Sequence, residues 1–124
     1  MYELYLLKNN NDTKCLSVER LLRSMGANGR LTGFFYLIFI IEFLLNEESN
    51  KYLITKSIYP MAAKKYNVSP ASVEHAIRTV INSCWKFADH GMLDHIAGVH
   101  LERIPTNSEF IDIVLAYMKY QNNI

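Results

Sequence analysis

One amphipathic segment constrains the fold of this chain more than any other feature of its sequence. Ser69 is followed by Pro70, a pair typical of a helix start, because the serine oxygen accepts a backbone N–H and proline fits the first turn. Apolar residues then recur at the spacing of one helix face, namely Val73, Ile77, Val80, Ile81 and Cys84. We therefore predict a helix from Pro70 to about Ala88, ended by the region around Gly91, with one apolar stripe packed in a core.

The opposite face of this helix is rich in hydrogen-bonding groups. At about 100° per residue, that face carries Ser72, His75, Thr79, Asn82 and Lys86. Glu74 and Arg78 flank it. The pattern predicts a helix that is anchored on one side and offers polar side chains on the other.

A short helix with two lysines precedes this segment. Pro60 interrupts or restarts a helical stretch, residues 61–66 form a compact helix carrying Lys64 and Lys65, and residues 67–69 form a polar turn. A helix-turn-helix of this build fits DNA, because one helix enters the major groove while its partner lies against the backbone. The positive end of the second helix, at residues 69–71, favours a phosphate. Unrelated helical hairpins share this pattern, so a hairpin without a DNA function stays an equal alternative at this point.

The remaining pattern is also helical. We predict helices over about residues 13–25 and 32–46, a short stretch over 52–59, a turn of helix over 94–97, and a final helix after the capping box formed by Thr106 and Glu109. Residues 99–104 alternate weakly and are expected to be extended. With only 3 prolines and 5 glycines, the chain lacks the turn residues of a sandwich or barrel. The sequence predicts an all-α fold, a compact bundle of about six helices containing a helix-turn-helix.

Charge is unevenly distributed along the chain. Residues 51–86 carry six basic residues and one acidic residue, a net charge of +5, whereas residues 1–50 and 87–124 carry −1 and −3. A local basic excess suits phosphate binding, because each cation near a phosphate releases condensed counterions. Charge alone does not specify nucleic acid, and a solvated basic face without a ligand is an equal alternative.

Other function classes find little support. The apolar run at residues 31–45 is 15 residues long and contains Glu42, whereas a membrane span needs about 20 apolar residues. The N-terminus does not have the pattern of a signal peptide. Cys15 and Cys84 lie far apart, and we expect inert thiols in the cytoplasm, although a disulfide stays compatible with the sequence.

Catalytic and metal-binding patterns are equally weak. His90, His95 and His100 are spaced by five, whereas metal-binding helices place ligands three or four residues apart. We therefore expect surface or capping histidines, no metal, no cofactor and no enzyme activity. Trp85 is expected to pack at the rim of the core rather than stack on a base.

A longer set of motifs carries a resemblance. The chain contains Thr55-Lys56, Tyr59-Pro60, Ala63-Lys64-Lys65-Tyr66-Asn67, Val73-Glu74, Ala76-Ile77-Arg78 and Pro105-Thr106-Asn107-Ser108-Glu109-Phe110-Ile111. In this order and spacing they resemble the C-terminal DNA-binding effector domain of the master response regulator of endospore formation, the stage 0 sporulation protein A family. Weaker similarity extends over about residues 16–120.

This resemblance implies a six-helix domain that binds promoter DNA, forms head-to-tail dimers on tandem sites and contacts RNA polymerase sigma factors. It also implies base contacts from Glu74 and Arg78. Two further arginines of the family pattern fall on Ser72 and His75, and a family histidine falls on Thr79. Because arginine contacts guanine in a bidentate manner, these replacements predict a different or weaker site preference.

Domain organisation follows from the same resemblance. We expect residues 1–15 to be an N-terminal extension and residues 16–124 to be the helix-turn-helix effector domain. The extension is too short for the family's receiver domain, so the chain is expected to be a stand-alone relative or an excised domain.

The sequence thus predicts a sequence-specific transcriptional regulator in the bacterial cytoplasm, at the nucleoid, bound to double-stranded promoter DNA and not to a membrane or small-molecule substrate. Candidates for base contacts are Ser72, Glu74, His75, Arg78 and Thr79. Candidates for phosphate contacts are Lys64, Lys65, Ser69, Ala71, Asn82 and Lys86. For Arg78 and Glu74 the alternative is a purely structural ion pair, with an acid on a neighbouring helix and with a nearby lysine respectively. The alternative function is a protein-interaction module that has altered or lost DNA specificity and pairs with a full-length relative.

Overall fold

A computed structural model describes residues 17–46 and 57–122. Within these ranges the chain forms six α-helices: α1 Val18–Ser24, α2 Thr32–Asn46, α3 Tyr59–Tyr66, α4 Pro70–Lys86, α5 Gly91–Ala97 and α6 Asn107–Asn122. A 3-10 turn, Phe87–His90, joins α4 to α5, and the described residues contain no strand. The predicted all-α bundle is confirmed. The predictions for residues 1–16 and 52–56 lie outside the described residues.

Helix α4 lies at the centre of the bundle and packs against α2, α3 and α6. Its predicted apolar stripe is confirmed, since its five members are all at most 1% exposed: Val73, Ile77, Val80, Ile81 and Cys84. Helix α2 approaches most closely at Gly33, where an added Cβ would collide with the carbonyl group of Ala76. The absence of a side chain at Gly33 therefore determines how deeply α4 settles on α2.

The start of α4 has the predicted cap. Ser69 has an extended backbone, and its hydroxyl oxygen accepts the N–H of Ser72 at 3.1 Å. The turn before it begins at Asn67, whose left-handed φ of 58° ends α3. Asparagine tolerates this conformation better than most residues, so α3 and α4 are joined by only three residues.

The predicted capping box at the start of α6 is also confirmed. The hydroxyl of Thr106 accepts the N–H of Glu109 at 3.1 Å, and the Glu109 carboxylate accepts the N–H of Thr106 at 2.9 Å. Arg103 donates two hydrogen bonds to the same carboxylate, at 3.1 and 3.0 Å. These contacts hold the pKa of Glu109 at about 2, with the Arg103 hydrogen bond as the largest cause.

The end of α4 was predicted incorrectly. The helix stops at Lys86, and the chain reverses through three residues with positive φ, Ala88, Asp89 and His90. Gly91 has helical angles and begins α5 instead of ending α4. Aspartate and histidine adopt a left-handed backbone more often than most residues, but a run of three such residues that begins at an alanine is rare, so the local sequence does not predict this turn.

Two smaller predictions need adjustment. Helix α5 is a full seven residues rather than a single turn at residues 94–97. Residues 99–104 form no strand, because no neighbouring strand exists in the described chain to pair with them. Among the described helices, none combines the length and apolar character needed to cross a bilayer.

Candidate nucleic-acid interface

The polar face of α4 points away from the core. Six of its side chains are exposed: Ser72, His75, Arg78, Thr79, Asn82 and Lys86. Glu74 is half-buried beside them. This face is continuous over four turns, and its side chains are directed outward by the buried stripe on the other side.

At the N-terminal end of α4, hydroxyl groups and backbone amides lie close together. The Ser69 hydroxyl donates to the hydroxyl of Ser72 at 3.0 Å while it accepts the Ser72 N–H. The N–H of Val73 bonds to the carbonyl of Ser69, and Pro70 has none to offer. The amide of Ala71 is therefore the first-turn donor for which the described residues show no acceptor. Such a donor at the positive end of a helix suits an anion.

Glu74 and Arg78 pair with each other. An Arg78 guanidinium nitrogen lies 3.1 Å from a Glu74 carboxylate oxygen, and the Arg78 and Glu74 side chains are 55% and 47% exposed. The partners considered from sequence, an acid on a neighbouring helix and a nearby lysine, were therefore wrong. The sequence does contain a signal for the observed pair, because a glutamate four residues before an arginine forms a favourable ion pair on a helix. An exposed pair of this kind contributes only about 0.3–0.5 kcal/mol, so a ligand can displace it.

His75 and Thr79 differ in how much hydrogen-bonding capacity they leave exposed. The Thr79 hydroxyl donates to the backbone carbonyl of His75 at 3.2 Å, so its oxygen remains mainly an acceptor. The imidazole of His75 is exposed, with one donor and one acceptor when neutral. On either side of Arg78, positions 75 and 79 therefore offer short groups rather than the long forked donor of a further arginine.

The two lysines of α3 are not equivalent. Both are exposed in the last turn, but the ammonium of Lys65 lies over the rings of Phe39 and Tyr66, at 5.2 and 5.6 Å from their centroids. No such ring contact is found for Lys64 within the described residues. Lys64 is thus the less restrained cation of the pair, a difference that the sequence pattern did not indicate.

A buried asparagine joins the two helices of this unit to α6. The side-chain amide of Asn107, 6% exposed, donates to the hydroxyl of Tyr59 at 2.9 Å and to the backbone carbonyl of Glu74 at 3.1 Å. Burial raises the pKa of the Tyr59 hydroxyl, so it stays protonated. In the sequence, Asn107 stands out only as part of a motif. It is a positioning residue that fixes α4 against α3.

The residues behind the face are inert. Cys84 is a buried free thiol, and burial raises its pKa to about 12. Trp85 is half-buried and stacks on His90, with ring centroids 3.7 Å apart, in agreement with a packing role. Neither side chain belongs to the exposed face.

One family comparison bears on this arrangement. The family described as "Sporulation initiation factor Spo0A C terminal" matches residues 18–118, from the start of α1 to near the end of α6. The match includes the short helix, the turn and α4 with its exposed polar face. The chain therefore belongs to the family of the Spo0A C-terminal domain, which comprises DNA-binding effector domains of transcription regulation in sporulation.

Proposed function

We propose that this chain is a sequence-specific transcriptional regulator whose helix α4 enters the major groove of promoter DNA. The observation that carries the proposal is the exposure of the whole polar face of α4, opposite a stripe that is at most 1% exposed. A helix held in this way can contact base edges without rearrangement of the core. Its place of action would be the nucleoid in the bacterial cytoplasm.

Base contacts are assigned to five residues on or beside this face, Ser72, Glu74, His75, Arg78 and Thr79. Arg78 has the longest reach and can donate two hydrogen bonds to guanine, and Glu74 can accept one from cytosine. In the free protein, their mutual ion pair holds both side chains beside the face that would enter the groove. DNA would exchange this weak pair for base contacts.

Phosphate contacts are assigned to the groups around this face. Lys64 and Lys65 project from the end of α3, and Ser69 and Ala71 lie at the positive end of α4. Asn82 and Lys86 continue the exposed face toward its other end. Because these contacts are made with the sugar-phosphate backbone of DNA, they contribute affinity and fix the register of the protein on the duplex, but they carry no sequence information.

The site preference is expected to differ from that implied by the family pattern. The two positions where the resemblance implies arginine hold Ser72 and His75, and the Ser72 hydroxyl is already engaged by Ser69. Each bidentate arginine contact contributes about 1–3 kcal/mol of base discrimination. Recognition would therefore depend on Arg78 and Glu74 more than in a domain with all four groups.

Two further partners follow from family membership. We infer that the chain forms head-to-tail homodimers on tandem sites and contacts an RNA polymerase sigma factor. The competing proposal is a protein-interaction module that pairs with a full-length relative, favoured by the loss of long-reach donors at Ser72 and His75.

Selection of duplexes from a random pool, followed by salt titrations, tests the DNA proposal. We expect the selected duplexes to share a preferred sequence. Arg78→Ala should weaken binding to them by about 1–3 kcal/mol while leaving binding to random duplexes nearly unchanged. Lys64→Ala should weaken all duplexes about equally and lower the salt slope by about one.

Lys119→Ala serves as the matched control, since Lys119 is a basic residue outside the helix-turn-helix. An interaction module would give no enriched sequence and little affinity at physiological salt, together with a stable complex with the relative. Equal effects of Arg78→Ala on every duplex would overturn the assignment of Arg78 to base contacts.

A further inference from the structure

A second cluster of polar side chains lies where the 3-10 turn, α5 and the following loop meet. His90, Asp94 and His100 each offer one atom suited to a metal ion, and these atoms lie within 4.8 Å of one another. The five-residue spacing argued against a metal on a single helix. In the fold, the loop that follows α5 folds back, so that His100 lies beside His90 and Asp94. The spacing of the histidines in the sequence does not reveal this contact.

One imidazole nitrogen of His90 has no hydrogen-bond partner among the described residues. The other, Nδ1, lies 3.2 Å from the carbonyl oxygen of Trp85. Because a carbonyl only accepts, Nδ1 carries the proton of the neutral ring, and Nε2 then presents a lone pair. That Nε2 is buried with no partner in the described part of the chain, and at 4.0 Å it is too far from an Asp94 oxygen for a hydrogen bond. Metal-binding histidines commonly donate their second nitrogen to a carbonyl in this way.

The ring of His90 is held in place from two sides. It stacks on Trp85 with an interplanar angle of 7°, and its backbone belongs to the left-handed run that includes Ala88 and Asp89. The ring stacking and this backbone turn together keep Nε2 directed toward Asp94.

The carboxylate of Asp94 is also oriented before any ligand arrives. One oxygen accepts the backbone N–H of Leu101 at 3.0 Å, and the other lies 2.7 Å from Nδ1 of His100. Both carboxylate oxygens are thus held in place, and the carboxylate lies between the two imidazoles.

We propose that His90, Asp94 and His100 together bind one Zn²⁺ ion. Two imidazole nitrogens and one carboxylate are ligands that zinc prefers, and three protein ligands leave a fourth position for water. At zinc–ligand distances of about 2.0–2.1 Å, ligand atoms in a tetrahedral site lie about 3.3 Å apart. The His100 side chain is 70% exposed, so its ring is free to make the small movement required.

The ion would join three segments that follow α4. His90 belongs to the 3-10 turn, Asp94 to α5 and His100 to the loop before α6. Zinc would replace the direct Asp94–His100 hydrogen bond with two metal–ligand bonds. Since the ion binds the folded chain, it would raise the stability of the whole domain by mass action.

Titration calorimetry of the full chain with zinc chloride tests the site, with Co²⁺ absorption as a second readout. We expect one Zn²⁺ per chain and tetrahedral-type cobalt bands. His100→Ala and Asp94→Asn should weaken binding by about 10- to 100-fold or more, since even outer-shell changes cost that much. His100 is exposed, and asparagine keeps an oxygen for the Leu101 N–H, so both variants should fold.

His95→Ala is the matched control. His95 lies on α5, as Asp94 does, and its exposed side chain is outside the cluster. The variant should bind Zn²⁺ as tightly as the wild type. The proposal is overturned if the wild type shows no saturable binding up to about 1 mM Zn²⁺, a concentration far above the dissociation constants of structural zinc sites. It is also overturned if His100→Ala binds like the wild type, or if His95→Ala loses binding to the same extent.

Discussion

At the scale of single residues, the polar face of α4 depends on side chains of unequal reach. Arg78 extends from the face, whereas the hydroxyl of Ser72 is engaged by the N-cap and that of Thr79 by a backbone carbonyl. His75 is the exposed position at which a longer donor would meet least interference. Replacing this one residue therefore probes how base discrimination depends on reach.

His75→Arg should increase affinity for duplexes that place guanine opposite this position by about 1–3 kcal/mol, the discrimination of one bidentate contact. Competition binding between duplexes that differ at one base pair measures the change. His95→Arg is the control, because it adds the same charge outside α4. It should raise affinity for all duplexes equally or leave it unchanged. Equal gains for both variants on all duplexes would mean that residue 75 does not face the bases.

Glu109 predicts a pH dependence of stability. Its pKa is lowered from 4.5 to about 2, first by the Arg103 hydrogen bond and then by the Thr106 N–H. A lowered folded-state pKa means that the charged form stabilises the fold above about pH 4.5, and that this contribution is lost as the pH falls toward 2. Glu109→Gln preserves the capping-box geometry but removes the charge.

The difference in unfolding free energy between wild type and Glu109→Gln should be largest above about pH 4.5 and should shrink toward pH 2. Urea unfolding at a series of pH values measures this difference. A difference that stays constant over the whole range would show that the Glu109 charge does not contribute.

At the scale of helices, the contact between α2 and α4 determines where the polar face lies. Gly33→Ala should force the two backbones apart, because the new methyl group would overlap the Ala76 carbonyl. We expect a loss of about 1–3 kcal/mol in unfolding free energy, as for other overpacked sites, and weaker DNA binding at temperatures where the variant is folded.

Gly91→Ala is the control for this substitution. Gly91 has helical angles, and no atom of residues 17–46 or 57–122 lies within 4 Å of an added Cβ. Alanine there should raise stability by about 0.4–1 kcal/mol, since it lowers the entropy of the unfolded chain. Similar behaviour of the two variants would contradict the close approach at Gly33.

Helix positions could be predicted where their causes are local. The bounds of α2 follow from a continuous apolar run that is followed by polar residues, and the start of α4 follows from the Ser69-Pro70 cap. The left-handed turn at residues 88–90 could not be predicted, because it begins at an alanine, whose side chain offers no group that favours this backbone. The contacts of Asn107 with Tyr59 and of His100 with Asp94 could not be predicted either, since only the fold brings these residues together.

At the scale of the whole molecule, charge and shape support the same surface. The basic segment at residues 51–86 contains α3, the three-residue turn and α4, while acidic residues predominate after residue 86. A duplex approaching this surface would meet positive charge around an exposed polar helix, and repulsion from the acidic remainder would disfavour other orientations. Overall orientation on DNA is thus expected to follow from the fold and not from a single contact.

Backbone amide chemical shifts of the isotope-labelled chain, followed during titration with a selected duplex, report which helices contact the DNA. We expect the largest changes in the last turn of α3, at residues 67–69 and along the first three turns of α4, with α1 and the end of α6 almost unaffected. Changes centred on α1 or α6, or no changes on α4 at saturating duplex, would contradict the proposal that α4 enters the major groove.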